Sequence, residues 1–452
     1  MKQAFRLTAK TLFFALWFLE VCLIILRPAP ALVELIRPIG AIGLLLLMLV
    51  SVPLVRRASL AVASIAVILG IIIMATGTAH WTDMETGLVR SMLFAAFLPT
   101  LHILRASAQS QPRVRLSQRK FARLPAGSRS DGITLGAHAF GAVLNTGSFP
   151  VMAAVLNDKA DEAERRRFAL SALRGMNLAP LWSPFFVAMA LASAYLPSVS
   201  LIQIMPVGLI TAMASLVVSI LFFGGSKQRG TGNQPGWVAG VHALAPIAPG
   251  LAILGLTVVL IAVSTPLSSL ETIILIVPPL CLALCRFERS AVKRIWQTAT
   301  GRMATSYDDL LIVVAAITLA TLAGHIEVTA DVIRDVVSSI PAPLAILALI
   351  LTSFLPSMIG IHPMIPTAIL LAALTGGPQP LHDVILMGVA LTGWSVGTMC
   401  SVSSMSVVVC AGLFRVPAWR LMISPNLLFA AAVMGIATIV LSALQILLGH
   451  FP

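Results

Sequence analysis

Charge is scarce in this chain. Charged residues make up 10% of its 452 positions, against about 25% in soluble domains. That excludes a soluble domain of any size; the longest polar stretch is 106–130. Cysteine is also sparse. The five cysteines all lie in apolar runs, and Cys281 and Cys285 are four apart on one predicted helix. That spacing is poor disulfide geometry, and two thiols are too few for a zinc site. They read as small apolar core residues. There is no H-E-x-x-H and no Asp-rich metal motif in or near an apolar run; a G-x-S-x-G string, Gly393–Gly397, falls inside a predicted helical span and not on a strand-to-helix turn. The chemistry of the metalloenzymes that use such metal motifs is not expected, and the chain is read as a non-enzyme without a cofactor.

What is present is hydrophobic length. Apolar residues are 58% of the chain, and runs of about 18 or more recur from end to end, as transmembrane helices require. The runs do not alternate, which excludes a β-barrel. Spans are predicted at 11–27, 38–55, 58–76, 88–105, 168–195, 201–224, 237–263, 271–285, 307–323, 384–414 and 421–448, eleven in all. Lys2, Arg6 and Lys10 precede the first run as in a signal peptide, but the run is longer than a usual h-region and carries Glu20. It reads as a retained helix. Glu20 itself reads as a structural carboxylate or a proton site.

Two further apolar stretches, 131–157 and 343–375, carry a polar, helix-breaking centre. Their centres match. Residues 144–156 read LNTGSFPVMAAVL and 357–369 read SMIGIHPMIPTAI, sharing Gly147/Pro150 and Gly360/Pro363. Each is followed by a second matching segment, LRGMNLAPLWS at Leu173–Ser183 and LTGWSVGTMCS at Leu391–Ser401. Each half of a broken stretch is too short to cross a bilayer. The stretches read as re-entrant hairpins, and duplicated broken segments point to a transporter's binding site.

Basic residues number 30 against 17 acidic ones, a net charge of +13. With the N-terminus inside, the inner loops hold Arg56 and Arg57, the cations between Arg105 and Arg129, Arg165–Arg167, Lys227 and Arg229, the group Arg286 to Arg302, and Arg415 and Arg420. The outer loops hold Asp83, Glu85, Glu327, Asp331 and Asp335; Arg27 and Arg37 are exceptions. This positive-inside pattern puts the two hairpins on opposite faces and makes the repeat inverted. It places the chain as a multi-pass inner-membrane protein with its C-terminus outside. The charge calls for lipid, not nucleic acid. The stretches 106–130 and 286–302 read as interfacial connectors on the inner leaflet.

The resulting plan is all-α and polytopic: scaffold helices and a connector over 1–130, a first transport repeat over 131–224, second scaffold helices over 225–342 and a second transport repeat over 343–452. Broken helices present free N–H groups that bind anions and carbonyl ends that hold cations. Substrate-site candidates are Asn145, Thr146, Gly147, Ser148, Asn177 and Ser183 in the first repeat. In the second they are Gly360, His362, Pro363, Thr398, Ser401, Ser403 and Ser404. The serine-rich run has an alternative reading as close helix packing.

Arg174 is one turn from Asn177. It either clamps a carboxylate or snorkels to the inner surface. His362 protonates, binds substrate or caps its turn; His138 reads as packing. Trp182 and Trp394 either stack on substrate or pack. The predicted site lacks a mid-depth carboxylate, since Asp131, Asp308, Asp309 and Asp383 fall near span ends. That favours an anionic substrate over cation/proton exchange.

Eleven spans with an inside hairpin after the fourth and an outside hairpin after the ninth resemble the ion transporter superfamily. Its divalent anion/sodium symporters carry Ser-Asn-Thr hairpin tips. Leu144-Asn145-Thr146-Gly147 matches that signature in part, and Gly360-Ile361-His362-Pro363 does not carry it. The resemblance implies elevator-type alternating access, a small anion such as a carboxylate as substrate, and a homodimer. The coupling ion it implies is Na⁺ or H⁺, with sodium at Asn145, Ser148, Ser357 and Thr367. Two alternatives remain open. One is a TRAP-like large permease served by a periplasmic binding protein; the other is a cation/proton antiporter of the same superfamily.

Overall fold

In the computed structural model, residues 2–157, 160–224, 235–285, 288–375 and 381–449 are described. Lys227, Arg229 and Arg286 of the charge pattern lie outside them. The described residues are mostly helical, with no strand among them. The chain opens with α1 (Lys2–Leu26), α2 (Pro30–Ser51), α3 (Arg57–Ala75) and α4 (Trp81–Ser110). Next come α5 (Pro112–Ala122), α6 (Arg129–Leu144), α7 (Ser148–Ala153), α8 (Glu162–Asn177), α9 (Val187–Tyr195), α10 (Leu201–Phe223), α11 (Gly236–Leu244) and α12 (Ala248–Ser264). Then follow α13 (Ser269–Leu284), α14 (Arg289–Ala323), α15 (Glu327–Ser339), α16 (Ala342–Met358) and α17 (Met364–Thr375). The chain closes with α18 (Asp383–Cys400), α19 (Met405–Phe414), α20 (Ala418–Met422) and α21 (Asn426–Leu447).

Seven helices among the described residues are long and apolar enough to cross a membrane, or eight if one bent pair is a single span. Large apolar side chains face outward, among them Phe18, Ile71, Phe222 and Leu447. In water such a surface would be a liability; in lipid it is the expected exterior. The architecture is that of a polytopic helical membrane protein.

Two expectations differ from the structure in detail. The span expected at 237–263 is two helices, α11 and α12, bent by 66°. Pro246 and Pro249 explain this, since neither donates a backbone hydrogen bond. The connector expected at 286–302 is not a separate element. It runs on into the next span as the single 35-residue helix α14. No proline interrupts it, whereas Pro112 opens α5 as a new helix.

The chain forms two compact units. The first comprises Met1–Ser107, Thr265–Ser339 and Met364–Pro380. In it α14 packs on α3 and α17, α1 on α2, and α15 on α17. Arg56 pairs with Asp308 at 3.2 Å.

The second unit comprises Ala108–Ser264, Ile340–Pro363 and Leu381–Pro452. Its packing is reciprocal. Helix α6 lies on α8 as α16 lies on α18; α8 contacts α19 as α18 contacts α9; and α10 contacts α21. The glycine of each Leu-x-Gly segment allows the first of these contacts. A Cβ on Gly175 would stand 1.9 Å from the Thr134 carbonyl oxygen of α6. One on Gly393 would stand 2.6 Å from Ser353 Cβ of α16.

Candidate functional site

Four chain breaks lie in the second unit. Helix α6 stops at Leu144 because Asn145 takes φ 54 and ψ −130. Non-glycine residues avoid that conformation. A short 3₁₀ turn, Asn145–Gly147, leads into α7. There Ser148 Oγ donates to the Asn145 carbonyl at 2.8 Å. Helix α8 stops at Asn177, just before the 3₁₀ turn Ala179–Leu181 with Pro180 at its centre. Helix α16 stops at Met358, and Gly360 at φ 94 turns the chain. Helix α18 stops at Cys400; Ser401 is extended, and Ser404 restarts the helix by accepting from Val407 N at 3.2 Å.

The breaks are joined by side chains. Thr398 Oγ1 donates to Asn177 Oδ1 at 2.9 Å, and Ser395 Oγ donates to the Asn177 carbonyl. Helix α18 therefore serves the C-terminal end of α8, where carbonyls lack intrahelical partners. Ser404 Oγ donates to the Thr398 carbonyl at 2.5 Å, and Ser401 and Ser403 share a bond of 2.8 Å. Ser183 Oγ donates to the Ala142 carbonyl of α6 at 2.6 Å. The first tip, Asn145–Gly147 with α7, packs on α19. At the second tip, a Cβ on Gly397 would meet Ser357 Oγ at 2.8 Å and Pro363 Cγ at 3.1 Å. The His362 ring stands edge-on to Trp394, 5.8 Å between centroids.

The second unit thus brings most of the predicted residues into one bonded and packed set. Asn145, Thr146, Gly147, Ser403 and His362 are its half-buried members, while Ser148, Asn177, Ser183, Thr398, Ser401 and Ser404 are buried. Gly360 is half-buried between the exposed Ile359 and Ile361. Thr367, the fourth expected sodium ligand, lies on α17 in the first unit.

Arg174 neither snorkels nor stands free. It is 3% exposed. Its guanidinium donates to Ser219 Oγ at 3.0 Å, Asn426 Oδ1 at 2.9 Å, Ser171 Oγ at 3.0 Å and the Phe223 carbonyl at 3.3 Å. The Phe223 and Phe429 rings flank it at 5.5 and 6.0 Å. Four of its five donors are engaged by α8, α10 and α21. Sequence reasoning missed Ser219 and Asn426; their only signal was a polar side chain within an apolar span.

His138 also does more than pack. Trp182 Nε1 donates to His138 Nε2 at 3.2 Å, and His138 Nδ1 lies 3.2 Å from the Gly175 carbonyl. The ring is therefore the Nδ1–H tautomer, tying α6 to both sides of the α8 break.

The groups that converge are hydroxyls, amides, backbone N–H and an imidazole, with no carboxylate among the named set. Groups of these kinds can in general hold an oxyanion, and the carbonyl ends of helices a small cation. No family model matches the chain, and no curated protein matches it.

Proposed function

We propose that this chain is a secondary transporter of a small anion, a carboxylate above all, working by alternating access and coupled to Na⁺ or H⁺. The observation that carries this reading is the Asn177–Thr398 joint. Two helices, each broken mid-course, meet at their breaks through buried polar groups, and the first arm of each hairpin packs on its own broken helix. Buried polar groups of that kind are expensive in a membrane and are kept where a polar ligand must dwell.

The reciprocal packing of α6–α8–α9–α10 and α16–α18–α19–α21 supports an inverted repeat. On this reading the short apolar helices α3, α13 and the α8–α9 pair also cross the membrane, giving eleven crossings with the basic loops inside. The anion sits among the two tips and the two breaks. Asn145, Thr146, Ser403 and His362 provide its polar contacts, and the α8 and α18 carbonyl ends hold the coupling cation. Arg174 is left out of the contact set, because its donors are engaged by the protein.

The test is a thermal-shift screen of the purified protein against mono- and dicarboxylates, sulfate and phosphate, with Na⁺ present or replaced by K⁺. A ligand that binds the native state raises the melting temperature by mass action. A hit should then drive saturable uptake into proteoliposomes under an imposed Na⁺ or proton gradient. Uptake that is unsaturable and indifferent to both gradients would sink the reading in favour of a passive channel.

A further inference from the structure

The basic helix α5 has two sharply different faces. Val114, Ser117 and Phe121 are buried, spaced as one helical stripe. That stripe is firmly seated on α6 and α11. Ser117 Oγ donates to the Ala243 carbonyl at 2.6 Å. The Phe121 ring meets Phe140 edge-on at 6.0 Å, and a Cβ on Gly136 would come within 2.8 Å of it. Just past the helix, Leu124 sits where a Cβ on Gly132 would be, 2.4 Å away. Gly132, Gly136 and Phe140 all belong to α6, the first arm of the first hairpin.

The other face is cationic. Arg113, Arg115, Arg119 and Arg123 are exposed, and Lys120, also exposed, reaches the His242 carbonyl at 3.4 Å. No acidic residue occurs between 106 and 130. In the middle of the cations, Leu116 is 48% exposed. An apolar residue ringed by arginines, on a helix whose back is fixed to apolar elements, fits a surface that is anionic outside and hydrocarbon beneath. Water alone offers nothing to Leu116, and a nucleic acid or acidic peptide offers no hydrocarbon layer.

We propose that the exposed face of α5 binds anionic phospholipid headgroups of the surrounding bilayer, with Leu116 inserted among the acyl chains. The bound lipid thereby holds the base of the first hairpin through Phe121 and Leu124. This inference requires only that the chain sits in a membrane and is independent of the transport reading.

The test is hydrogen exchange of the backbone segment 112–123 in the full-length protein, in nanodiscs of pure phosphatidylcholine and in nanodiscs with a third of the lipid replaced by phosphatidylglycerol. The wild type should exchange several-fold more slowly with phosphatidylglycerol, and high salt should remove most of the difference. The combined variant Arg113→Gln, Arg115→Gln, Arg119→Gln and Arg123→Gln changes only exposed side chains. It should fold and exchange at one rate in both lipids. Equal wild-type rates in the two lipids would overturn the proposal, as would a variant that is slowed as much as the wild type. So would slowing of the same size by millimolar inorganic phosphate in pure phosphatidylcholine, which would make the face a free-phosphate site.

Discussion

Asn177 and Thr398 stand 221 residues apart in the chain and meet at 2.9 Å. The amide orientation is fixed by its other partner. Asn177 Nδ2 donates to the Leu173 carbonyl at 2.9 Å, so the oxygen must face Thr398, which supplies the hydroxyl proton. Replacing Thr398 by Val keeps the shape and removes that proton. A buried acceptor left unpaired costs about 1–3 kcal/mol. Thr398→Val is expected to lower the melting temperature and to abolish ligand-induced stabilisation. A double-mutant cycle with Asn177→Ala should show non-additivity, because the residues share one bond. Additive losses would mean that the joint is not a joint.

Arg174 makes the opposite kind of prediction. As a staple across α8, α10 and α21, it should matter for stability before it matters for ligand. Arg174→Met leaves Ser219 Oγ and Asn426 Oδ1 facing an apolar stem, at about 1–3 kcal/mol for each group left unpaired. The expected outcome is a large drop in melting temperature or failure to accumulate. Arg174→Lys keeps the charge but not the planar fork, so it should fall between. If it keeps the melting temperature of the wild type and loses only the ligand shift, Arg174 is a ligand contact after all.

The breaks were legible in the sequence and their partners were not. Gly147, Pro150, Pro180 and Gly360 announce the interruptions locally, because backbone chemistry acts over a few residues. The ends of α6, α8 and α16 fall within the segments those residues mark, while α18 ends at Cys400 with none of them nearby. The partners of Arg174 come from contacts as distant as 252 residues, and no local pattern encodes them. Two polar residues in apolar spans, Ser219 and Asn426, were the only trace. The bend between α11 and α12 had a local signal in Pro246 and Pro249, overridden in a reading that weighed hydropathy alone. The fusion of 289–302 with the following span had only the lack of a proline as a local signal, since a basic amphipathic stretch otherwise looks the same whether or not the helix continues.

The matched glycines allow a test of the repeat by substitution. A methyl at Gly175 or Gly393 must displace α6 or α16, because each approaches within 2.6 Å or less of the position it would fill. Overpacking of this kind typically costs about 1–3 kcal/mol. Gly175→Ala and Gly393→Ala should therefore both destabilise. Gly255→Ala, inside α12 with nothing within 4 Å of its Cβ, should be neutral or stabilising by up to about 1 kcal/mol. Melting temperatures of the three variants in one detergent decide it. Loss at 175 without loss at 393 would break the equivalence of the two segments.

Asn145 separates backbone from side chain at the first tip. Its φ of 54 with ψ −130 is a conformation that glycine adopts without cost. Asn145→Gly should relieve the strain and stabilise by about 1 kcal/mol, within the range that strained single residues carry. Asn145→Ala keeps the strain, loses the amide and should not stabilise. If the asparagine is retained for its side chain, both variants lose the ligand-dependent rise in melting temperature although their intrinsic stabilities move apart. A glycine variant that is more stable and still shifts fully with ligand would assign Asn145 to the turn alone, and would leave Thr146 and the backbone N–H groups to hold the anion there.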